Sequence, residues 1–229
     1  MTPISANLQA VRARIDAAAR AAGRNPDGIT LLAVSKTWPA DNVRAAADAG
    51  QRAFGENYVQ EGVAKANELS ALGLEWHFIG PLQSNKTRPV AEAFDWVHSI
   101  DRLKIAERLA EQRPALRGPL NVCLQVNVSG EATKSGCAPD EAAALAVAIA
   151  ALPNLRLRGL MCIPEPTDDV AAQRRPFAEL RRLFERLRGE GLALDTLSMG
   201  MSHDIEAAIA EGATMVRVGT AIFGERNKS

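Results

Sequence analysis

The sequence predicts an α/β fold, a single (β/α)8 TIM-type barrel domain over residues 1–229 with an extra N-terminal helix. Three observations predict it. Short apolar runs rich in β-branched residues alternate with longer segments of helical period, the pattern of right-handed βαβ units on a parallel sheet. There are eight such runs. Eight βα units within about 200 residues match the compact limit of a closed barrel. The count of units does not by itself show closure, and a doubly wound open sheet accommodates the same alternation.

The strand candidates, in order, are Thr30 to Ser35, Arg52 to Gly55, Glu75 to Gly80, Trp96 to Ile100, Leu120 to Asn127, Leu155 to Cys162, Leu194 to Gly200 and Met215 to Gly219. Each is short and apolar, as expected of strands covered on both faces. The helical candidates between them are Asp41 to Ala49, Val59 to Leu72, Lys86 to Ala93, Arg102 to Gln112, Pro139 to Leu152, Val170 to Glu190 and Ser202 to Glu211. Asp41 and Ser202 are positioned to cap helix N-termini, and Gly50, Gly191 and Gly212 stand where helices would stop. A further helical segment, Asn7 to Ala22, precedes the first strand and would close the bottom of the barrel or flank it. In Gln173 to Arg188, the residues Phe177, Leu180, Leu183, Phe184 and Leu187 form an apolar stripe, so its arginines read as the solvated face of an amphipathic helix.

Composition narrows the function. Lys plus Arg equals Asp plus Glu at 27 each, so the basic excess of a nucleic-acid binder is absent. The longest apolar stretches, Ala142 to Leu152 and Val216 to Phe223, fall short of the roughly 18 residues of a membrane span. The N-terminus lacks the apolar run of a signal peptide, and a cytoplasmic protein is expected. Cys123, Cys137 and Cys162 are widely spaced without a CxxC, and the three histidines show no metal-ligand spacing, so neither a disulfide framework nor a metal site is expected.

In a barrel, chemistry sits where strands end and βα loops begin. Alternation places Leu32, Val34 and Lys36 on one face, with the Lys36 amine pointing into the mouth. Partial desolvation makes such an amine a better nucleophile toward a carbonyl, although a charge snorkelling at a strand end satisfies the same position. LSMGMSHD ends the seventh strand candidate with glycine and puts Ser202 where a hydroxyl and backbone N–H groups hold a phosphate. MVRVGTAIFG ends the eighth with Gly219 and Thr220, a close-approach position and a hydroxyl donor. The loops after strands seven and eight are the usual phosphate site of such barrels. Arg217 shares a face with Gly219 and projects inward, where a pyridine nitrogen is one acceptor for it. An amine, a phosphate cradle and an inward arginine in one mouth fit pyridoxal phosphate, whose aldehyde, phosphate and ring nitrogen need those three groups.

Asn57, His77 and Met199 stand close enough in the pattern to touch the ring or its substituents, and equally read as satisfied interior or core residues. The loop from Ser129 to Gly136, with Lys134, lacks GxxxxGK[ST] and reads as a βα loop that could serve as a lid.

VSKTWP around Lys36, FGENYVQE, WHFIGPLQSNK, VNVSGEATKSG, LRGLMCIP, LSMGMSHD and VRVGTAIFG together resemble the pyridoxal phosphate homeostasis protein family, from about residue 5 to residue 226. The resemblance implies a barrel similar to the cofactor domain of alanine racemase, with Lys36 as the Schiff-base lysine, Ser202, Gly219 and Thr220 around the phosphate, and Arg217 near the ring nitrogen. It also implies binding, buffering or delivery of the cofactor without established turnover. The recipients would be apo-enzymes that depend on pyridoxal phosphate, and a monomer is expected. The alternative is a small amino-acid racemase on the same domain. Such a reaction needs two acid/base groups flanking Cα, and the chain has a single tyrosine, Tyr58. In the two-domain racemases that the barrel resembles, a separate domain supplies a tyrosine, whereas this sequence stops soon after its eighth strand candidate.

Overall fold

The computed structural model describes residues 2–130 and 135–225. Lys134 therefore lies outside the described residues.

A helix, α1 (Pro3–Ala21), comes first, starting where the Thr2 hydroxyl accepts from the Ser5 N–H and Pro3 occupies the opening turn. The strands are β1 (Thr30–Val34), β2 (Ala53–Glu56), β3 (Glu75–Phe78), β4 (Trp96–Ile100), β5 (Leu120–Gln125), β6 (Leu155–Met161), β7 (Thr196–Ser198) and β8 (Met215–Val218). They close into a parallel barrel in sequence order, with β1 paired to both β2 and β8. That closure decides against the open sheet. The helices between them are α2 (Ala40–Asp48), α3 (Val59–Glu68), α4 (Thr87–Ala93), α5 (Leu103–Gln112), α6 (Ala142–Ala150), α7 (Val170–Gly189) and α8 (Ile205–Ala210), and a short α9 (Thr220–Phe223) follows β8.

Alternation sorts the side chains into two regions. Ala33, Phe54, Phe78, Val97, Leu124, Leu160 and Val216 face outward and build the main core against the helices. Leu32, Val34, Ala53, Ile79 and Met215 form an apolar group inside the barrel, and Trp96, Cys123 and Met161 form a second. The α7 stripe Phe177, Leu180, Leu183, Phe184 and Leu187 is buried, as its spacing predicts.

The N-terminal helix flanks the barrel. Leu8, Val11 and Ile15 are buried, Asn7 donates to the Ile222 carbonyl at 2.9 Å, and Arg14 donates to the Ser202 carbonyl and to Glu206 at 2.6 Å each. The helix thereby braces the loops after β7 and β8.

Some boundaries differ from the sequence expectation for local reasons. β5 ends at Gln125 because Val126 and Asn127 bond instead to Met161 and Cys137. β7 is confined to three residues, since Gly200 at φ +95° turns the chain, and a Cβ there would lie 2.5 Å from that of Ala208. Neither proposed cap acts as one. Pro39 precedes α2, leaving Asp41 in the first turn, where its charge still complements the helix dipole. The chain makes a separate turn over residues 201–204, with Asp204 bonding Met201, so α8 starts at Ile205 and Ser202 stays in the loop. Gly50, Gly191 and Gly212 do end helices, each at positive φ. Among the described residues no helix is long and apolar enough to cross a membrane.

Candidate functional site

The C-terminal ends of β7, β8, β1 and β2 adjoin at one rim of the barrel. The register pairs Leu32 with Arg217, Ala33 with Val218 and Val34 with Gly55. Lys36 follows β1 by two residues, Gly219 and Thr220 follow β8 directly, Asn57 follows β2, and Ser202 lies four residues beyond β7. Topology therefore brings Lys36, Arg217, Gly219, Thr220, Ser202 and Asn57 to the same mouth. Gly219 presses against β1, where a Cβ would stand 3.2 Å from the Val34 carbonyl oxygen. Thr220 opens α9, and the first N–H groups of a helix have no partner within it. Asn57 is half-buried, its Oδ1 has no hydrogen-bond partner among the described residues, and Gly80 packs so closely that a Cβ would sit 2.2 Å from the Asn57 carbonyl oxygen.

The half-buried Lys36 stands between two clamped neighbours. The buried Lys65 ammonium donates to the Ser35 carbonyl at 2.8 Å, to Glu56 at 2.8 Å and to Glu61 at 2.6 Å. The Ser35 hydroxyl donates to the same Glu56 oxygen, and the Thr37 N–H donates to Glu61, both at 2.6 Å. Thr37 sits at φ +66°, a left-handed conformation that costs a β-branched residue energy and is held by these bonds. Burial pushes the Glu56 carboxyl above its ordinary range, against the pull of Lys65 and Ser35. The sequence reading did not single out Glu56, Glu61 or Lys65. The signal available was a glutamate at the end of an otherwise apolar strand.

Arg217 projects inward as alternation predicts and is 4% exposed. Its guanidinium donates to Ser198 Oγ and to the Cys162 carbonyl, each at 2.8 Å. Ser198 Oγ lies 2.8 Å from His98 Nδ1, His98 Nε2 lies 2.9 Å from His77 Nδ1, and His77 Nε2 lies 2.8 Å from a carboxylate oxygen of Glu75, which is exposed at the opposite, N-terminal rim. His77 thus stands in the barrel interior with both ring nitrogens engaged by protein groups. Met199 faces away from the interior and is fully buried in the core between strands and helices, so the fold does not bring it to the others. Ser198 and His98 were not anticipated, although alternation along LSMG and WVHSI turns both inward.

The family model for the N-terminal domain of alanine racemase matches residues 6–227. The pyridoxal phosphate homeostasis protein of Pseudomonas aeruginosa is 66% identical over 227 residues, covering 99% of this chain and 97% of that protein. The chain belongs to the pyridoxal phosphate homeostasis protein family. A second member, from Escherichia coli, is 58% identical over 232 residues and is covered to 99% of its length. Among solved structures, PipY of Synechococcus elongatus with pyridoxal phosphate bound is 40% identical and superimposes with a TM-score of 0.84 over 96% of this chain and all of that one. Family membership accounts for the barrel and for the seven motifs, most of which fall at its mouth.

Proposed function

We propose that this chain holds pyridoxal phosphate at the barrel mouth and buffers it or delivers it to apo-enzymes that depend on it, acting as a cytoplasmic monomer without turnover of its own. The observation that carries this reading is the seam between β1 and β8. It sets Lys36, the inward Arg217 and the Gly219–Thr220 turn beside one another, matching an aldehyde, a ring nitrogen and a phosphate. The residues fit the group on two further counts. Arg217 is a buried cation with no carboxylate in ion-pair reach among the described residues, and Asn57 Oδ1 is a buried acceptor awaiting a donor. The cofactor supplies an aldehyde that condenses reversibly with amines. Lys36 would hold it at that carbon, Ser202, Gly219 and Thr220 at the phosphate, and Arg217 at the ring nitrogen, with Asn57 near the ring.

Borohydride reduction of the loaded protein followed by mass spectrometry tests the reading. A pyridoxyl group on Lys36 is expected. An adduct mainly on Lys65, Lys86 or Lys134 would overturn it. Lys65 is a poor competitor because its ammonium already donates to three oxygens in the interior.

The absence of turnover rests on the bases available. Exchange of a Cα proton on both faces needs a second group held within about 3 Å on a rigid support. Tyr58 is 55% exposed at the start of α3, and burial pushes the Cys162 thiol up to about 12. Incubation with L-alanine in deuterium oxide is expected to yield no D-alanine at enzymatic rates of about 1–10³ per second. Turnover in that range, abolished by changing Tyr58 or Cys162, would restore the racemase.

A further inference from the structure

An arginine buried in a barrel with no carboxylate beside it has to be oriented by neutral groups, and for Arg217 those groups form a directed chain. A guanidinium only donates, so Ser198 Oγ accepts from it. Among the described residues the serine's own hydrogen then has one acceptor in reach, His98 Nδ1. An imidazole that accepts at Nδ1 carries its hydrogen on Nε2 and gives it to His77 Nδ1. His77 in turn donates from Nε2 to Glu75, whose carboxyl this bond holds below its usual range, so that it stays an ionised acceptor. Burial, with the charge of Arg217, pushes His98 well below the usual histidine range, which keeps it neutral as the chain requires. With both histidines neutral, a donor-only cation at one end and an acceptor-only carboxylate at the other leave a single direction for the hydrogen bonds. Every link is between 2.8 and 2.9 Å, and His77, His98 and Ser198 are fully buried.

We propose that Ser198 and His98 are positioning residues: the directed chain from Arg217 to Glu75 fixes the guanidinium so that its remaining N–H groups serve a ring nitrogen, and the site thereby favours ligands that present an unprotonated nitrogen there. The proposal rests on the cofactor reading above and adds to it the residues that set Arg217. Polar groups crossing the interior as an aligned series also oppose the cost of burying the cation, because each link turns an acceptor toward Arg217 and a donor toward the carboxylate. Cys162 contributes its backbone carbonyl alone to this arrangement, its side chain lying in the outer core.

The experiment compares two ligands on three proteins. The ligands are pyridoxal phosphate and the carbocyclic analogue with a C–H in place of the ring nitrogen, and the proteins are the unmodified chain, Ser198→Ala and Ser198→Thr. Loss of one oriented hydrogen bond should weaken pyridoxal phosphate about 3- to 10-fold in Ser198→Ala, leave the analogue within about 2-fold, and be restored by Ser198→Thr. His98→Gln, measured in parallel, is expected to show the same selectivity, so the test does not hang on one variant folding. Nitrogen NMR of the unliganded protein should show His98 neutral with its hydrogen on Nε2. Equal weakening of both ligands, or a His98 hydrogen on Nδ1, would overturn the proposal alone. An unmodified chain that retains neither ligand would overturn the cofactor reading and this proposal with it.

Discussion

Ser202→Ala combined with Thr220→Val is expected to weaken retention of pyridoxal phosphate by about 10²–10³-fold while leaving unphosphorylated pyridoxal within about 3-fold. Two hydroxyls stand at the ends of neighbouring strands, one in the turn between β7 and α8, the other opening α9. Each offers a phosphate one charge-assisted hydrogen bond of about 1.5–3 kcal/mol, reduced here because Ser202 is only half-buried and Thr220 is exposed. Neither substitution should unfold the chain. Arg14 holds the Ser202 backbone carbonyl, which alanine retains, and valine keeps the branched shape of Thr220 at a helix start. Equilibrium dialysis of both ligands separates the outcomes. A parallel loss for pyridoxal and pyridoxal phosphate would place the phosphate away from these loops.

Lys65→Met is expected to destabilise the chain by about 3–5 kcal/mol, because it leaves the Glu56 carboxylate buried without its cation. Glu56 is 0% exposed, and its second oxygen has no hydrogen-bond partner among the described residues, so little else can compensate it. In the variant the carboxyl would take up a proton in the folded state, its pKa raised further above the unfolded value by desolvation. The sign follows from linkage. Between the unfolded and folded pKa values the folded chain binds more protons than the unfolded one, so stability falls as pH rises through that window and levels off above the folded pKa. Adding Glu56→Gln removes the stranded charge and should recover more than half of the loss, since glutamine still accepts from Ser35. Chemical denaturation across pH for the single and double variants checks both parts. A Lys65→Met chain as stable as the original, with no pH slope, would show that the cluster does not need its cation. The same substitution releases the Ser35 carbonyl and frees Glu61 from Lys65, so trapping of pyridoxal phosphate on Lys36 should weaken along with stability.

Much of this was legible in the residues alone, for a local reason. A strand presents alternate side chains to opposite faces whatever it pairs with, so the inward direction of Arg217 follows from MVRVG, and TLLAVSK sets the same expectation for Lys36 just beyond its strand. Helix ends at Gly50, Gly191 and Gly212 follow from the left-handed turns that glycine adopts without steric cost. Eight alternating units and the mouth motifs sufficed to expect a barrel and a pyridoxal phosphate site. What periodicity could not supply is which residues meet across the ring, because that depends on closure, strand tilt and stagger taken together. His77 and His98 are 21 positions apart, and Ser198 is 100 positions from His98, yet each pair shares a hydrogen bond in the interior. The sequence offered Arg217 a ring nitrogen as its acceptor; only the closed barrel brings Ser198 and the Cys162 carbonyl to it. The same closure places Lys65 under Ser35 and makes a surface-type residue the clamp of the Lys36 loop. The order of the elements, their inward faces and the residue types gathered at the mouth are properties of neighbouring residues along the chain, and so are readable from it. The partners of the buried charges come from the closed barrel, since a buried cation or carboxylate is met by whatever distant group the fold sets beside it.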